Sequence, residues 1–424
     1  MTAALDARRL ASAGSLRGGA IASRAVVGLI LARFLGAAEF GVYVLAIAAA
    51  GLVALVARAG LDRLALAEIG TRPEAARTVA VSLGRPLLVG TVVVVAPMLV
   101  LVAVVPLPAG LDRAALAVAV AAAVPLNVVL FAAQVLRGAR RPAAALVVGE
   151  LGPPVARLLA FAVLPMSLSA TRAALAFLAG WTALAIGGVL VVARLGGDDD
   201  AAERSWSPVE PWRRSGSLFV FALGAQLREL LAGAAGWAAG TPAEVGGLGT
   251  ATRLEQMSLL PTTATRFVTA PELASRGATL PAATVALAVT TARRSLAVQL
   301  PLLIGIGLFA PQLLGLLGAD FRPAADLLRV LVVGALVNSL TGSTTQTLLM
   351  SDRRDRLAAS SLVGVGVLVV GAAGLAPSLG VLGVALAVAA ANAVTGLVEW
   401  WYVRRDLGAR VDVLAEVPTE PTDR

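Results

Sequence analysis

The sequence predicts an all-α polytopic membrane protein with about twelve transmembrane helices in two parallel six-helix lobes around a central cavity. Three observations lead there. Apolar residues make up 58% of the 424 positions and charged residues 14%, with mean hydropathy +0.85, well outside the composition of water-soluble domains. The apolar material falls into about twelve runs of roughly 20 residues, the length that crosses a hydrocarbon layer. The basic residues, all of them arginine, load every second connection between those runs.

Each span follows from that alternation. Arg8, Arg9 and Arg17 open the chain around the first span, 15–34, and a short neutral turn separates it from the second, 40–57. Arg58, Arg63, Arg72 and Arg77 precede the third, 78–105; the near-bare segment with Arg113 precedes the fourth, 114–136. Arg137, Arg140 and Arg141 lead into the fifth, 143–165, and Arg172 into the sixth, 173–193. The polar stretch 194–215, with Arg194, Arg204, Arg213 and Arg214, divides these six from spans at 216–238, 245–270, 294–317, 324–350, 357–376 and 379–402. In that second set Arg276, Arg293 and Arg294, then Arg353, Arg354 and Arg356, and finally Arg404, Arg405, Arg410 and Arg424 mark one side, with only Arg322 opposite. Short positive loops stay cytoplasmic during insertion, so both termini are expected inside. Trp400, Trp401 and Tyr402 form an interfacial aromatic belt at the end of the last span. The expected organisation is an N-terminal lobe over 1–195, a cytoplasmic linker over 196–214, a C-terminal lobe over 215–408 and a disordered cytoplasmic tail over 409–424.

The two sets of six resemble one another. Ala38-Glu39-Phe40-Gly41 matches Ala243-Glu244-Val245-Gly246, and Ala67-Glu68-Ile69 matches Pro271-Glu272-Leu273, both at offsets of about 205 residues. Six is even, so both halves enter from the same side and the repeat is parallel.

Composition also removes whole classes of chemistry. The chain has no cysteine and no histidine, which leaves no disulfide, thiol nucleophile, imidazole base or common zinc site. No metal, cofactor or catalytic residue is expected, and the net charge of +9 is assigned to anionic headgroups and topology rather than to nucleic acid.

The charges inside the spans carry the functional reading. Arg24, Arg33, Arg85, Arg157, Arg228, Arg253, Arg266 and Arg329 outnumber the acids Glu150, Glu229, Glu255, Asp326 and Glu399 in the same zones. A charged side chain at mid-bilayer costs about 2.5–3.5 kcal/mol on insertion scales, so it faces a partner or a wet path. The surplus of arginine points to an anionic ligand. Arg24 and Arg228, each about halfway along the first span of its lobe and related by the repeat offset, are the leading pair for a bidentate phosphate clamp. An internal ion pair with Glu229 or Glu255 is the plainer alternative. Span eight adds a polar stripe of Glu255, Ser258, Thr262, Arg266 and Thr269 on one face, with Arg253 pointing away. Glu150 and Arg157, two turns apart, are read as a structural ion pair across neighbouring helices or, alternatively, a coupling site; Glu229 is another coupling candidate.

The stretch Arg33 to Tyr43, continuing through Gly60-Leu61-Asp62-Arg63, resembles the opening of bacterial polysaccharide flippases of the multidrug/oligosaccharidyl-lipid/polysaccharide (MOP) exporter superfamily, whose fold is that of MATE transporters. Phe321 to Leu331 with Leu348-Leu349-Met350 is similar to that family's tenth span, and Leu379 to Ala387 to its twelfth. The resemblance implies a non-enzymatic, multi-pass protein of the bacterial plasma membrane that moves a polyprenyl-diphosphate-linked oligosaccharide outward by alternating access. It implies cationic contacts to the lipid diphosphate in spans one and eight, matching Arg24 and either Arg253 or Arg266. Membrane lipids are then partners, as are a polymerase or glycosyltransferases of the same pathway. The alternative on the same fold is a multidrug or cation antiporter, which needs acids facing the cavity.

Overall fold

The computed structural model describes residues 2–165, 167–195, 216–260, 282–351 and 353–416. Among these the chain is helical, with no strand: α1 Thr2–Arg58, α2 Leu61–Thr71, α3 Ala76–Val104, α4 Arg113–Ala121, α5 Ala123–Gly138, α6 Pro142–Leu146, α7 Gly152–Val163, α8 Ala170–Ala193, α9 Gly216–Ala239, α10 Pro242–Met257, α11 Ala282–Leu308, α12 Ala310–Gly315, α13 Ala325–Leu340, α14 Thr344–Met350, α15 Arg354–Leu379 and α16 Val381–Leu407. Eight helical segments among the described residues are long and apolar enough to cross a membrane. One of them, Ala22–Arg58, holds two of the expected spans. Its continuity is broken at Gly36, with φ 73° and ψ 170°, a conformation that only glycine adopts without strain.

The chain packs as two compact units, Val26–Gly233 and Met1–Ala25 with Ala234–Arg424. These boundaries fall inside α1 and α9, and the expected linker over 196–214 lies outside the described residues.

Within the Val26–Gly233 unit the alternation of connections is visible in contacts. At one end Glu39 accepts a hydrogen bond from the Ala170 amide (2.6 Å), the Thr171 hydroxyl donates to Asp112, and Arg113 reaches the Val105 carbonyl (3.0 Å). The arginine-loaded connections meet at the other end, where Gly138 sits against Ile69 so closely that a Cβ would lie 2.8 Å from the Ile69 side chain. Between the ends, Leu83, Leu87, Val129, Val135 and Leu136 form a buried core with Phe177 and Trp181. Val89, Val92, Val93 and Val100 of α3 stay exposed, as expected for a lipid-facing stripe in a chain of this composition.

The fifth span is not a plain α-helix. A π turn occupies Val147–Leu151 between α6 and α7. Pro153 and Pro154 follow it and have no N–H to donate, which frees the local carbonyls and accommodates the extra residue.

The other unit is built on α16, which packs against α15 and α13. Small residues set the spacing: a Cβ on Gly334 would lie 2.7 Å from Ala389 Cα, and one on Gly371 3.0 Å from Ala387 Cβ. Two boundaries differ from the sequence expectation. Span nine begins earlier, since α11 runs Ala282–Leu308 and carries Arg293 and Arg294 inside a helix. Span ten ends at Leu340, and Gly342 at φ 76° turns the chain before α14.

The expected disordered tail is a correction. Residues 409–416 dock: Val411 and Ala415 are each 1% exposed. Arg293 donates to the carbonyls of Val413 (3.0 Å) and Ala415 (2.8 Å), and the Trp400 indole donates to Asp412 (2.9 Å). The acidic tail finds basic and aromatic partners on α11 and α16, which composition alone does not reveal. Residues 417–424 lie outside the described residues. Burial pushes the Asp412 carboxyl up, but hydrogen bonds from Trp400 and Arg410, the Arg410 charge and the Leu414 amide outweigh it and hold it below its ordinary value. A depressed folded value stabilises above the unfolded value of about 3.9 and is lost as pH falls through the folded one. Asp412→Asn is therefore expected to lower the melting temperature at neutral pH. The difference from wild type should shrink as pH falls below about 3.9, read by a pH series of thermal unfolding curves.

Candidate functional site

Polar side chains inside the spans form several separate clusters, and the sequence reading anticipated only part of them. In the Val26–Gly233 unit, Arg58 and Asp62 are each 9% exposed, Asn127 0% and Thr91 1%. Arg58 Nε lies 3.2 Å from Asp62 Oδ2, and its Nη1 donates to Asn127 Oδ1 at 2.8 Å. Asn127 Nδ2 donates to Thr91 Oγ1 at 3.1 Å, and Thr91 donates to the Leu87 carbonyl. The chain joins α1, α2, α3 and α5 through a buried ion pair, with Arg58 Nε close to Asp62 but without a hydrogen bond of its own. Counted as a loop residue, Arg58 was assigned to topology alone. The lone asparagine at the centre of an apolar run was the available signal, because a buried amide needs a partner.

Glu150 sits in the π turn and pairs with Arg137 Nη2 at 2.9 Å. Arg157, on the other side of the prolines, instead donates from Nη1 to the Tyr43 hydroxyl at 3.1 Å. The structure thus gives these two residues different partners. Arg228 is half-buried and Glu229 exposed on α9, where Gln226 Nε2 lies 3.4 Å from both Glu229 Oε2 and the Ala48 carbonyl.

In the other unit, Arg24 is exposed on α1. Arg24 and Arg228 thus belong to different units. Arg253 is half-buried and donates from Nη1 to the Gly249 carbonyl one turn back, at 3.2 Å. Glu255 is 7% exposed and Ser258 0%, and the Ser258 hydroxyl makes no hydrogen bond. The Glu255 carboxylate has no ion pair or hydrogen bond among the described residues, while its carbonyl accepts from the Ser258 amide at 2.9 Å. Thr262, Arg266 and Thr269 lie outside the described residues.

Two further polar features belong to this unit, and the sequence gives no sign of the partners of the first. Glu399, 4% exposed, accepts from the Thr345 hydroxyl and from Ser360 Oγ at 3.2 Å. Thr291, Ser295 and Gln299 are all at most 5% exposed and recur every four residues on one face of α11. That spacing was legible in the sequence. Only Thr291 falls in the expected connection before span nine; Ser295 and Gln299 lie inside the expected span. No group of three or more metal-ligating side chains occurs among the described residues.

No family model matches the chain, and no curated protein matches it. Solved structures do. The lipid II flippase MurJ in an inward closed conformation aligns with TM-score 0.67 at 11% identity, covering 91% of this chain and 86% of that one. A MOP superfamily transporter from Pyrococcus furiosus, described as having a binding pocket of reverse polarity, aligns with TM-score 0.63 at 17% identity over 94% and 95% of the two chains. An inward-facing multidrug resistance MATE family transporter aligns with TM-score 0.61 at 17% identity over 94% of each. The chain has the fold of MATE and MOP transporters, and these neighbours are transporters and a flippase rather than enzymes.

Proposed function

From that fold we propose that the protein is a flippase that moves a polyprenyl-diphosphate-linked oligosaccharide across a bacterial plasma membrane by alternating access. The observation that carries the reading is the charge balance of the spans. Glu150 and Asp62 are held by Arg137 and Arg58, while arginines remain in excess of acids along the spans. A surplus of cationic side chains at membrane depth fits an anionic headgroup. Arg24 and Arg228, with Arg253 and Arg266, are the proposed diphosphate contacts, while the polyprenyl tail stays in lipid. A fold shared with a lipid II flippase supports the same class of cargo.

A second reading, a cation antiporter, is favoured by one observation. Glu255 is buried on α10, its carboxylate with no partner among the described residues, the kind of acid that takes up a proton or cation. A thermal-shift titration of the purified chain separates the two. Undecaprenyl diphosphate is expected to raise the melting temperature of wild type, with the shift strongly reduced in Arg24→Ala/Arg228→Ala. A shift from a hydrophobic cation alone, lost in Glu255→Gln, would move the assignment to the antiporter.

A further inference from the structure

Arg157 is held in a way that leaves its charge uncompensated. It lies on α7 within the candidate span Pro142–Val163. Val155, Leu159 and Val163 are 51%, 61% and 80% exposed and mark the outer stripe of that helix. At about 100° per residue Arg157 falls on the opposite side, so its partial accessibility is not on the lipid stripe. Its backbone is fixed by α8: a Cβ on Gly180 would lie 2.8 Å from the Arg157 nitrogen and 3.1 Å from its Cα.

The side chain is only partly satisfied. Nη1 donates to the Tyr43 hydroxyl, whereas Nε is buried and makes no hydrogen bond. No acidic side chain pairs with Arg157 among the described residues, and Glu150, two turns earlier, is engaged by Arg137. Tyr43 is 0% exposed. Its oxygen accepts from Arg157, which leaves the phenolic proton to donate elsewhere. The group is therefore a guanidinium with spare donors beside a hydroxyl donor, on a rigid base and inside a span, with no anion of its own.

We propose that Arg157 and Tyr43 form an anion subsite within the Val26–Gly233 unit, and that its ligand is a phosphate or diphosphate group. A planar guanidinium fork with a hydroxyl beside it suits the several oxygens of such a group, and charge-assisted bonds at membrane depth are strong. That the anion is carried by a polyprenyl lipid rests on the flippase reading; the subsite itself rests on the geometry of these two residues.

The test is a thermal-shift titration of the full chain in detergent with inorganic pyrophosphate, undecaprenyl diphosphate and undecaprenol. Wild type, Arg157→Gln, Arg157→Lys and Tyr43→Phe are compared, each shift being measured from the variant's own unliganded melting temperature. A purely structural role for Arg157 would lower that baseline and leave the ligand-induced shift intact. The expected result is stabilisation by undecaprenyl diphosphate and not by undecaprenol. The apparent Kd should weaken about tenfold or more in Arg157→Gln, the size expected for hydrogen bonds from a charged donor. Arg157→Lys should keep part of the affinity, and Tyr43→Phe should weaken it less than Arg157→Gln. If Arg157→Gln does not fold, the lysine and phenylalanine variants carry the comparison, and unchanged affinity in both overturns the proposal. Undiminished binding of the lipid diphosphate by Arg157→Gln overturns the subsite and leaves the flippase reading standing. A pyrophosphate shift that depends on Arg157, with no response to the lipid, supports the subsite and overturns the lipid as its source. No shift of wild type with either anion overturns both.

Discussion

Asp62→Ala is expected to destabilise the Val26–Gly233 unit by about 3–5 kcal/mol, because removing one member of a buried ion pair strands the other in an apolar surrounding. Here the stranded group is Arg58, whose Nε lies 3.2 Å from Asp62 and whose Nη1 is already committed to Asn127. The amide cannot neutralise the charge, so the whole chain to Thr91 loses its reason for being polar. The double change Arg58→Met/Asp62→Leu removes both charges and is expected to recover most of the loss, since apolar replacements of a buried pair are often neutral or stabilising. Thermal unfolding of the three proteins in one detergent checks this. A melting temperature for Asp62→Ala within about a degree of wild type would show that the pair is solvated and contributes nothing.

The second large effect is steric. Gly334→Leu is expected to push α13 away from α16 at their closest approach, where even a Cβ would meet Ala389 Cα at 2.7 Å. Backbone cannot yield as a flexible side chain can, so the cost falls at or above the usual 1–3 kcal/mol of overpacking. Gly366→Leu on α15 is the matched control, since nothing lies within 4 Å of its Cβ position. Expression and melting temperature should fall for the first and change little for the second. Equal behaviour would mean that the α13–α16 contact is not what holds this unit together.

The fold and the candidate site were legible to different degrees. Span positions followed from hydropathy because a bilayer imposes one length on every crossing segment. The break at Gly36 fell where the neutral turn between the first two runs was expected. Connections were harder. Arg293 reads as a loop residue by charge, yet a helix can extend past the apolar zone and use its guanidinium to bind the returning chain, as it does with Val413 and Ala415. The tail from residue 409 reads as disordered by composition, and residues 412–415 are held by partners on α11 and α16. Among interior charges, Glu150 and Arg157 share a helix face by counting residues, but the π turn and two prolines between them change the local geometry. Glu150 is engaged by Arg137 and Arg157 by Tyr43. Tyr43 carried no signal of its own, since one aromatic residue in an apolar helix is ordinary core.

What order and composition settle, then, is that this chain crosses a membrane many times, which connections carry its arginines, and that its apolar runs contain more arginine than acid. Those properties are sums over local segments, and solvent acts on each segment separately. Which charge meets which partner was decided only in three dimensions. A salt bridge depends on distances of a few ångströms between residues far apart in the chain, and helical turns, kinks and glycine contacts move those distances by more than that.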